Sequence, residues 1–251
     1  MEFNSNDFVR KAELRRTLEF DPRFPPGEIT DLLISAGRNR IRERRKNKMH
    51  CNVIAELGAK DGFAGLVLAP ECQRLIATDV VANRIELIKR NFLTAGLQEC
   101  DVFGAMAGDW FPPAADLHSV DVFLVNPPSI PEAQAATTEI SKDEFVYFAG
   151  PDGRRYIRQI VYQASSVLGK HSELIVVGAD YVLDDWLIRE CFENSLQAIP
   201  VIRERVFSPR EGIDCLISKH VQANLGWTKF EETSDGIFFE KVAYSVFLKS
   251  K

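Results

Sequence analysis

From about residue 51 onward the sequence alternates short apolar runs with amphipathic stretches, and this alternation constrains the fold more than any other feature. Seven runs have the composition of strands: CNVIAELG, RLIATD, CDVFGAMAGD, VDVFLVNPP, SELIVVGAD, AIPVIRERV and VAYSVFLK. Stretches at helical spacing, such as ANRIELIKRNFLTAG, separate most of them. Strands joined through helices pair in parallel with right-handed crossovers. The chain is therefore predicted to form an open, doubly wound α/β sheet.

The length of 251 residues suits one such domain with small additions. We expect residues 51–251 to form the α/β domain, and residues 1–50 to form a helical, basic extension in front of it. This extension ends in GRNRIRERRKNKMH, which predicts a solvated helix face, with contact to RNA or an acidic partner as the alternative. Residues 207–240 lie between the last two predicted strands and are expected to be an insertion that covers the substrate pocket.

Composition argues against several classes of partner. The formal charge of −5 gives the chain no global attraction to nucleic acid or to anionic membranes. No apolar run approaches the roughly 20 residues that a membrane span requires, and the N-terminus lacks the pattern of a signal peptide, so a cytoplasmic protein is expected. The five cysteines and four histidines show no metal-ligand spacing, so no metal site is expected. The oligomeric state is not indicated.

Ligands of doubly wound sheets bind beyond the carboxyl ends of the strands, and the first two of these ends carry suitable residues. The first predicted strand ends at Glu56, and Gly58 and Gly62 follow, where the backbone can approach a ligand closely. The second ends at Asp79, about 20 residues later, the spacing at which a carboxylate accepts both hydroxyls of a ribose. A helix N-cap is the alternative for Asp79.

The third and fourth predicted strand ends complete this edge. Asp109 and Trp110 combine an acid with a flat aromatic ring, which can hydrogen-bond and cover an adenine. The fourth strand ends in Asn126, and the two prolines that follow, Pro127 and Pro128, restrict the backbone. The Asn126 amide oxygen and the Pro127 carbonyl are therefore expected to hold an NH₂ group by both hydrogens, with its lone pair facing a methyl donor. This pattern predicts a site that methylates nitrogen.

The motifs at these strand ends resemble those of the class I S-adenosylmethionine-dependent methyltransferases with an Asn-Pro-Pro-aromatic motif, in particular the HemK-like glutamine methyltransferases of peptide release factors and their adenine-N6 and guanine-N2 relatives. The matching text is FPPGEITDLLI, AELGAKDGFAGLVLA, ATDVVANRIELIKRN, AGDWFPPAADLHSVDVFLVNPPSIP and FAGPDGRRYIRQIV. The resemblance implies a Rossmann-like, seven-stranded, mostly parallel sheet whose last strand is antiparallel. It also implies S-adenosylmethionine as the cofactor and S-adenosylhomocysteine as the product.

The resemblance implies a role for each residue at the strand ends. The glycine loop would lie against the methionine part of the cofactor, Asp79 would bind the ribose, and Asp109 with Trp110 would bind the adenine. Asn126 and Pro127 would be the catalytic residues that hold the target nitrogen. The cofactor-binding set is then Glu56, Gly58, Gly62, Asp79, Asp109, Trp110 and Asn126.

Two positions depart from the family pattern. Lys60 stands where the family has the middle glycine of its loop, and its amine either reaches the cofactor carboxylate or points to water. Ser129 stands where the family has the aromatic ring that stacks on a flat amide or a flipped base. Only about 50 residues precede the α/β domain, whereas the HemK-like enzymes carry a sizeable recognition domain there, so a small-molecule substrate is favoured.

Substrate contacts are expected from residues on and after the Asn-Pro-Pro loop: Pro128, Ser129, Asp143, Glu144 and Tyr147. The acids among them can pair with an amino or guanidino group, with loop solvation or helix capping as the alternative. The expected partner is a small molecule; a protein glutamine or asparagine is a second possibility, and a nucleic-acid base is less favoured. The alternatives for function are an S- or O-methyltransferase, which needs no double acceptor, and an inactive module that binds the cofactor.

Overall fold

The computed structural model describes residues 5–20, 25–97, 100–104, 109–112, 119–131, 148–211 and 230–249. The helices are α1 (Ser5–Thr17), α2 (Glu28–Lys46), α3 (Phe63–Leu68), α4 (Ala82–Thr94), α5 (Arg155–Val167) and α6 (Asp184–Glu193), and a short 3₁₀ turn covers Ala69–Glu71. The strands are β1 (Val53–Leu57), β2 (Arg74–Asp79), β3 (Cys100–Gly104), β4 (Val122–Val125), β5 (Glu173–Ala179), β6 (Leu196–Pro209), β7 (Glu231–Glu232) and β8 (Gly236–Leu248).

The strands pair in the order β3-β2-β1-β4-β5-β8-β6, and β7 pairs with β8. The pairs β1–β2, β1–β4 and β2–β3 are parallel, whereas β8 is antiparallel to both β6 and β7. This confirms the prediction of an α/β, mostly parallel sheet with antiparallel strands. Every residue of β1, β4 and β5 is buried, as expected for continuous apolar runs in a sheet covered on both faces.

The predicted count of seven strands is wrong, because the described residues form eight. The additional strand, β7, is only two glutamates long and carries no apolar alternation that a sequence pattern would detect. It lies within residues 207–240, and the ends of β6 and β8 enter the same range at Pro209 and Gly236. Residues 212–229 lie outside the described part of the chain, so the prediction that this range covers a substrate pocket stays a prediction.

The chain divides into two compact units, which we describe separately. The first comprises residues 1–126 and 167–175, and the second comprises residues 127–166 and 176–251. Within the first unit, α2 packs against α3 and β4, and a Cβ on its Gly37 would lie 3.0 Å from Leu124 of β4. Helix α2 therefore contributes directly to the core of that unit.

The basic residues of α2 differ from the solvated face that the sequence predicts. Arg44 is 2% exposed, and its Nη2 lies 2.9 Å from Asp121 Oδ1, just before β4. Its Nη1 lies 3.6 Å from Glu173, the first residue of β5, to which Arg40 also donates two hydrogen bonds. These side chains neutralise carboxylates at the amino ends of strands, because the helix lies across the sheet there.

No helix among the described residues is both long enough and apolar enough to cross a membrane. Within the same ranges, no cluster of three or more His, Cys, Asp or Glu side chains has the arrangement of a metal site.

Candidate cofactor and catalytic site

The register of three parallel strands brings the predicted site residues to one edge of the first unit. Leu57 of β1 pairs with Thr78 of β2 on one side and with Val125 of β4 on the other. The next residue of each chain segment is Gly58, Asp79 and Asn126, respectively. These three positions therefore follow one another across the carboxyl edge of the sheet, where doubly wound folds bind their ligands.

The Asp79 carboxylate ties the end of β2 to the glycine loop. Its Oδ2 accepts the backbone N–H of Lys60 at 2.9 Å, and its Oδ1 accepts that of Val81 at 2.9 Å. The residue is only 3% exposed. Each carboxylate oxygen keeps a second acceptor site after one hydrogen bond, so the group retains the capacity to accept ribose hydroxyls. The N-cap residue of α4 is Val81, two positions after Asp79, so the alternative that Asp79 is itself the N-cap is wrong.

The glycine loop bends sharply after β1. Gly58 has a φ of 61°, and Lys60 has a φ of 57°, a left-handed conformation that is uncommon for a residue with a side chain. A Cβ at Gly58 would lie 3.1 Å from the indole of Trp110, whose carbonyl accepts the Thr78 hydroxyl at 3.2 Å. Trp110 therefore borders the glycine that the resemblance places against the cofactor, and Gly58 itself is exposed to solvent.

Glu56 faces away from this opening. Its Oε2 accepts the backbone N–H of Gly65 in α3 at 2.7 Å, and the residue is 7% exposed. Burial raises the pKa of Glu56 to about 8, and the neighbouring carboxylates Asp61 and Asp79 raise it further. Burial also raises the pKa of Asp61. Glu56 thus fastens α3 to β1, and the structure describes no contact that would place its side chain on a ligand.

Gly62 serves the packing of α4. Its φ is 78°, and a Cβ there would lie 2.5 Å from the ring of Phe92, so only glycine fits without a shift of the ring. It precedes α3 as the residue at the N-cap position. This close contact explains a glycine at position 62 without a ligand, and its predicted role beside the cofactor stays a prediction.

Sequence reasoning missed Asn91, which joins the glycine loop to the segment after α1. The side chain is 1% exposed, and its Nδ2 donates to the carbonyls of Asp61 and Glu19, both at 2.9 Å. Its Oδ1 accepts the backbone N–H of Glu19 at 3.0 Å. The available signal was the position of an amide beside Ile88 and Phe92 on the apolar face of α4, because a buried amide must find hydrogen-bond partners.

At the end of β4, Asn126 is exposed and Pro127 is buried. Pro128 and Ser129 are half-buried. Ile130, the residue after Ser129, forms a parallel bridge with Phe148, and its carbonyl accepts the Ala149 N–H at 2.8 Å. The loop therefore leaves the Asn126 amide accessible while its continuation is fixed by hydrogen bonds.

The other predicted site residues divide into two groups. Asp109 is exposed and Trp110 is half-buried, both just beyond the third strand. The three residues proposed to contact the substrate after the loop, namely Asp143, Glu144 and Tyr147, lie outside the described residues.

Comparison with known proteins places the fold. No protein-family model and no curated protein sequence matches the chain. Its structure is similar to that of Mtq2 from E. cuniculi, solved with Trm112 and responsible for methylation of the translation termination factor eRF1, with 17% identity and a TM-score of 0.54 over 90% of this chain and 98% of that one.

Two further similar structures are of proteins named for other substrates. A candidate RNA methyltransferase of Pyrococcus horikoshii gives a TM-score of 0.57 at 12% identity, covering 98% of both chains. The precorrin-6y C5,15-methyltransferase of Geobacter metallireducens gives 0.52 at 11% identity, covering 94% of this chain and 95% of that one.

At these identities the likeness establishes the fold alone, which the chain shares with structures of class I methyltransferases. The neighbours of this class use S-adenosylmethionine as methyl donor. The three neighbours described above concern a protein, an RNA and a precorrin, so the fold alone does not select a substrate.

Proposed function

We propose that this protein is an S-adenosylmethionine-dependent methyltransferase that methylates a nitrogen atom of a small molecule. The observation that carries the proposal is the register that places Gly58, Asp79 and Asn126 side by side at the carboxyl edge of β1, β2 and β4. This edge combines a bent glycine loop, a buried carboxylate and an exposed amide. The class I fold of the chain is consistent with a methyl donor bound at this edge.

The residues at this edge fit the chemical groups of the cofactor. Asp79 has free acceptor sites for the ribose hydroxyls, and exposed Gly58 offers a backbone without a Cβ for the amino-acid part. Asp109 and Trp110 would bind the adenine, because Trp110 lies against Gly58 and therefore borders the glycine loop. When bound, the cofactor supplies an electrophilic methyl group on a sulfonium, so no nucleophile on the protein is required.

The catalytic contribution of this chain is alignment. The Asn126 side-chain oxygen and the Pro127 carbonyl accept the two hydrogens of the target NH₂ group, and its lone pair then points toward the methyl donor. Positive charge would develop on the nitrogen as it takes the methyl group from the sulfonium, and the methylated product would then release its surplus proton to solvent. Both hydrogen bonds strengthen during this step, so they stabilise the transition state more than the bound substrate.

Several observations bear on the substrate class. Ser129 supplies no aromatic platform, which favours an amino or guanidino group over a flipped base. A protein glutamine or asparagine is the second candidate, favoured by the similarity to the structure of Mtq2, which methylates eRF1. The HemK-like resemblance of the Asn-Pro-Pro segment supports nitrogen as the target in either case.

The decisive experiment starts with identification of the acceptor. The protein is incubated with methyl-labelled S-adenosylmethionine and separate pools of amino acids, small amines, release factors and RNA, and the labelled species is identified. A labelled small amine supports the proposal, a labelled release factor supports the second candidate, and a labelled oxygen or sulfur atom contradicts nitrogen transfer.

The Asn126→Ala variant then tests the two-acceptor arrangement. We expect kcat to fall by about 100-fold or more, because a transition-state hydrogen bond is lost, while the cofactor Kd changes only a few-fold. Asn126→Asp is the matched control, since it keeps an acceptor oxygen of similar shape, and it should retain more activity than the alanine variant. Full turnover by Asn126→Ala would show that this nitrogen contact does not exist.

A further inference from the structure

The loop after Asn126 is held by a second segment of the chain, residues 148–155. The carbonyl of Ile130 accepts the N–H of Ala149 at 2.8 Å, and the two segments form a parallel bridge at Ile130 and Phe148. The second segment then turns back on itself, since the N–H of Arg155 donates to the carbonyl of Ala149 at 2.9 Å. The loop after Asn126 is thus packed against a closed turn rather than against solvent.

At Gly153 the turn leaves no room for a side chain beside the loop. This residue has a φ of 73°, and a Cβ placed on it would lie 2.4 Å from the carbonyl oxygen of Ser129 and 3.2 Å from its carbonyl carbon. Real side chains do not approach a carbonyl so closely, so any other residue at this position displaces the backbone of Ser129. The contact lies on backbone atoms, which cannot rotate away as the end of a side chain can.

The turn that carries Gly153 is anchored through the next residue. Arg154 is 2% exposed, its Nε donates to the carbonyl of Val182 at 2.7 Å, and its guanidinium lies 4.9 Å from the ring centre of Trp186. The backbone N–H of Arg154 also donates to Asp152 Oδ1 at 3.1 Å. These contacts fix the turn on the segment after β5, so Gly153 has a defined position.

We propose that Gly153 is a positioning residue for methyl transfer, and that its contact with the Ser129 carbonyl sets the direction of the Pro127 carbonyl. Pro127 and Ser129 are separated only by Pro128, which fixes its own φ and restricts the backbone of Pro127, so few torsions are left to absorb a displacement at Ser129 before it reaches Pro127. A misplacement of about 1 Å at a reacting centre can cost about 100-fold in rate. This inference rests on the proposed function, because it assigns a role in the two-acceptor arrangement of Asn126 and Pro127.

A test that needs no methyl acceptor compares the binding of two cofactor analogues by calorimetry. Sinefungin carries a protonated amine where S-adenosylmethionine has its sulfonium methyl, whereas S-adenosylhomocysteine carries nothing there. If Asn126 and Pro127 face this position, the wild-type protein binds sinefungin about tenfold more tightly than S-adenosylhomocysteine, because two acceptors receive a charged donor.

In Gly153→Ala we expect the affinity for S-adenosylhomocysteine to stay within about twofold and the preference for sinefungin to disappear. Gly96→Ala is the matched control, since Gly96 has a similar φ of 78° but no atom within 4 Å of its Cβ position, and it should retain the preference. A second variant, Trp186→Leu, loosens the anchor of Arg154 without touching the loop and should lower the preference about threefold.

The outcomes separate the two claims. A wild-type protein that binds neither analogue overturns the proposed function, and this inference with it. Binding of both analogues without a preference shows that the two acceptors do not face the methyl position, and this overturns the inference while the cofactor assignment stands. Retention of the full preference in Gly153→Ala and in Trp186→Leu overturns the positioning role alone.

Discussion

The two ends of the strands in the first unit differ in how their buried carboxyl groups are compensated. At the amino end, the carboxylates of Asp121 and Glu173 lie against the guanidinium of Arg44, which is itself almost fully buried. At the carboxyl end, burial raises the pKa values of Glu56 and Asp61. Compensated charges stabilise the fold, whereas carboxyl groups buried at a cost in free energy are typical of functional sites. The amino edge is therefore a structural one, whereas the carboxyl edge, where Glu56 itself anchors α3, carries buried carboxyl groups beside the proposed cofactor residue Asp79.

The largest effect is expected at the amino edge, for Arg44→Met. Removal of the guanidinium leaves Asp121 without its charged partner and leaves Glu173 with Arg40 alone. It also removes the donor to the carbonyls of His50 and His171. We expect the free energy of unfolding to fall by about 3–5 kcal/mol, measured by urea denaturation.

Arg45→Met is the matched control for this variant. Arg45 is the next residue, its side chain is 51% exposed, and it pairs with Glu71 at the surface. Surface pairs of this kind contribute about 0–1 kcal/mol, so this variant should be nearly as stable as the wild type. Equal losses in the two variants would contradict the assignment of a structural role to Arg44.

An intermediate effect is expected at the carboxyl edge for Asp79→Ala. The loss of two charged acceptors should weaken S-adenosylmethionine binding by about 2–3 kcal/mol, or about 30–150-fold in Kd by calorimetry. Asp235→Ala, which removes an exposed carboxylate in the second unit, should leave the Kd unchanged. An unaltered Kd in Asp79→Ala would count against the ribose role and would weaken the contrast between the two edges.

The smallest effect, taken per pH unit, concerns the pH dependence of stability in Glu56→Gln. The folded protein holds the Glu56 proton up to a pKa of about 8, whereas the unfolded chain releases it near the ordinary value of 4.5. The wild-type protein therefore loses stability as the pH rises through this window. The variant cannot ionise, so its free energy of unfolding relative to that of the wild type should increase by up to about 1.4 kcal/mol per pH unit between pH 5 and pH 8.

Urea denaturation at several pH values measures this difference. Glu43→Gln provides the comparison, because the pKa of that exposed carboxyl group is lowered by Lys46 and the wild type should then have the advantage at high pH. A difference between Glu56→Gln and the wild type that does not change with pH would mean that burial of Glu56 carries no electrostatic cost.

The alternation of apolar runs and helical stretches was sufficient to predict the sheet, and strand ends were sufficient to predict where Gly58, Asp79 and Asn126 meet. When parallel strands end at the same edge, the order of the strands is enough to predict which of their end residues lie side by side. The two-residue strand β7 escaped prediction because Glu231 and Glu232 have no apolar period. Its existence depends on pairing with β8, which a local pattern does not contain.

Within the candidate site, the sequence predicted where a residue lies on its strand or helix better than it predicted which groups its side chain contacts. Glu56 lies one residue before the end of β1, close to its expected place, but its side chain accepts the N–H of Gly65 in α3 because a buried carboxylate needs hydrogen-bond donors. Asn91 and Arg44 were missed for the same reason: a helical period identifies the face on which a side chain lies and not the distant carbonyls or carboxylates that it meets. Their partners are separated from them by 30 and 77 positions in the sequence.

The antiparallel ladder of β6 and β8 has a practical consequence for protein engineering. The ladder is paired from Leu196 opposite Leu248 to Pro209 opposite Gly236, and beyond it the N–H of Arg210 donates to the carbonyl of Asp235 at 2.9 Å. On the other edge of β8, Phe238 and Ile237 pair with Glu231 and Glu232 of β7, so the described residues that flank 212–229 belong to strands on opposite sides of β8. An engineered replacement for that stretch therefore has to span two strand spacings, about 10 Å, and a two-residue turn would pull β6 or β7 out of alignment with β8.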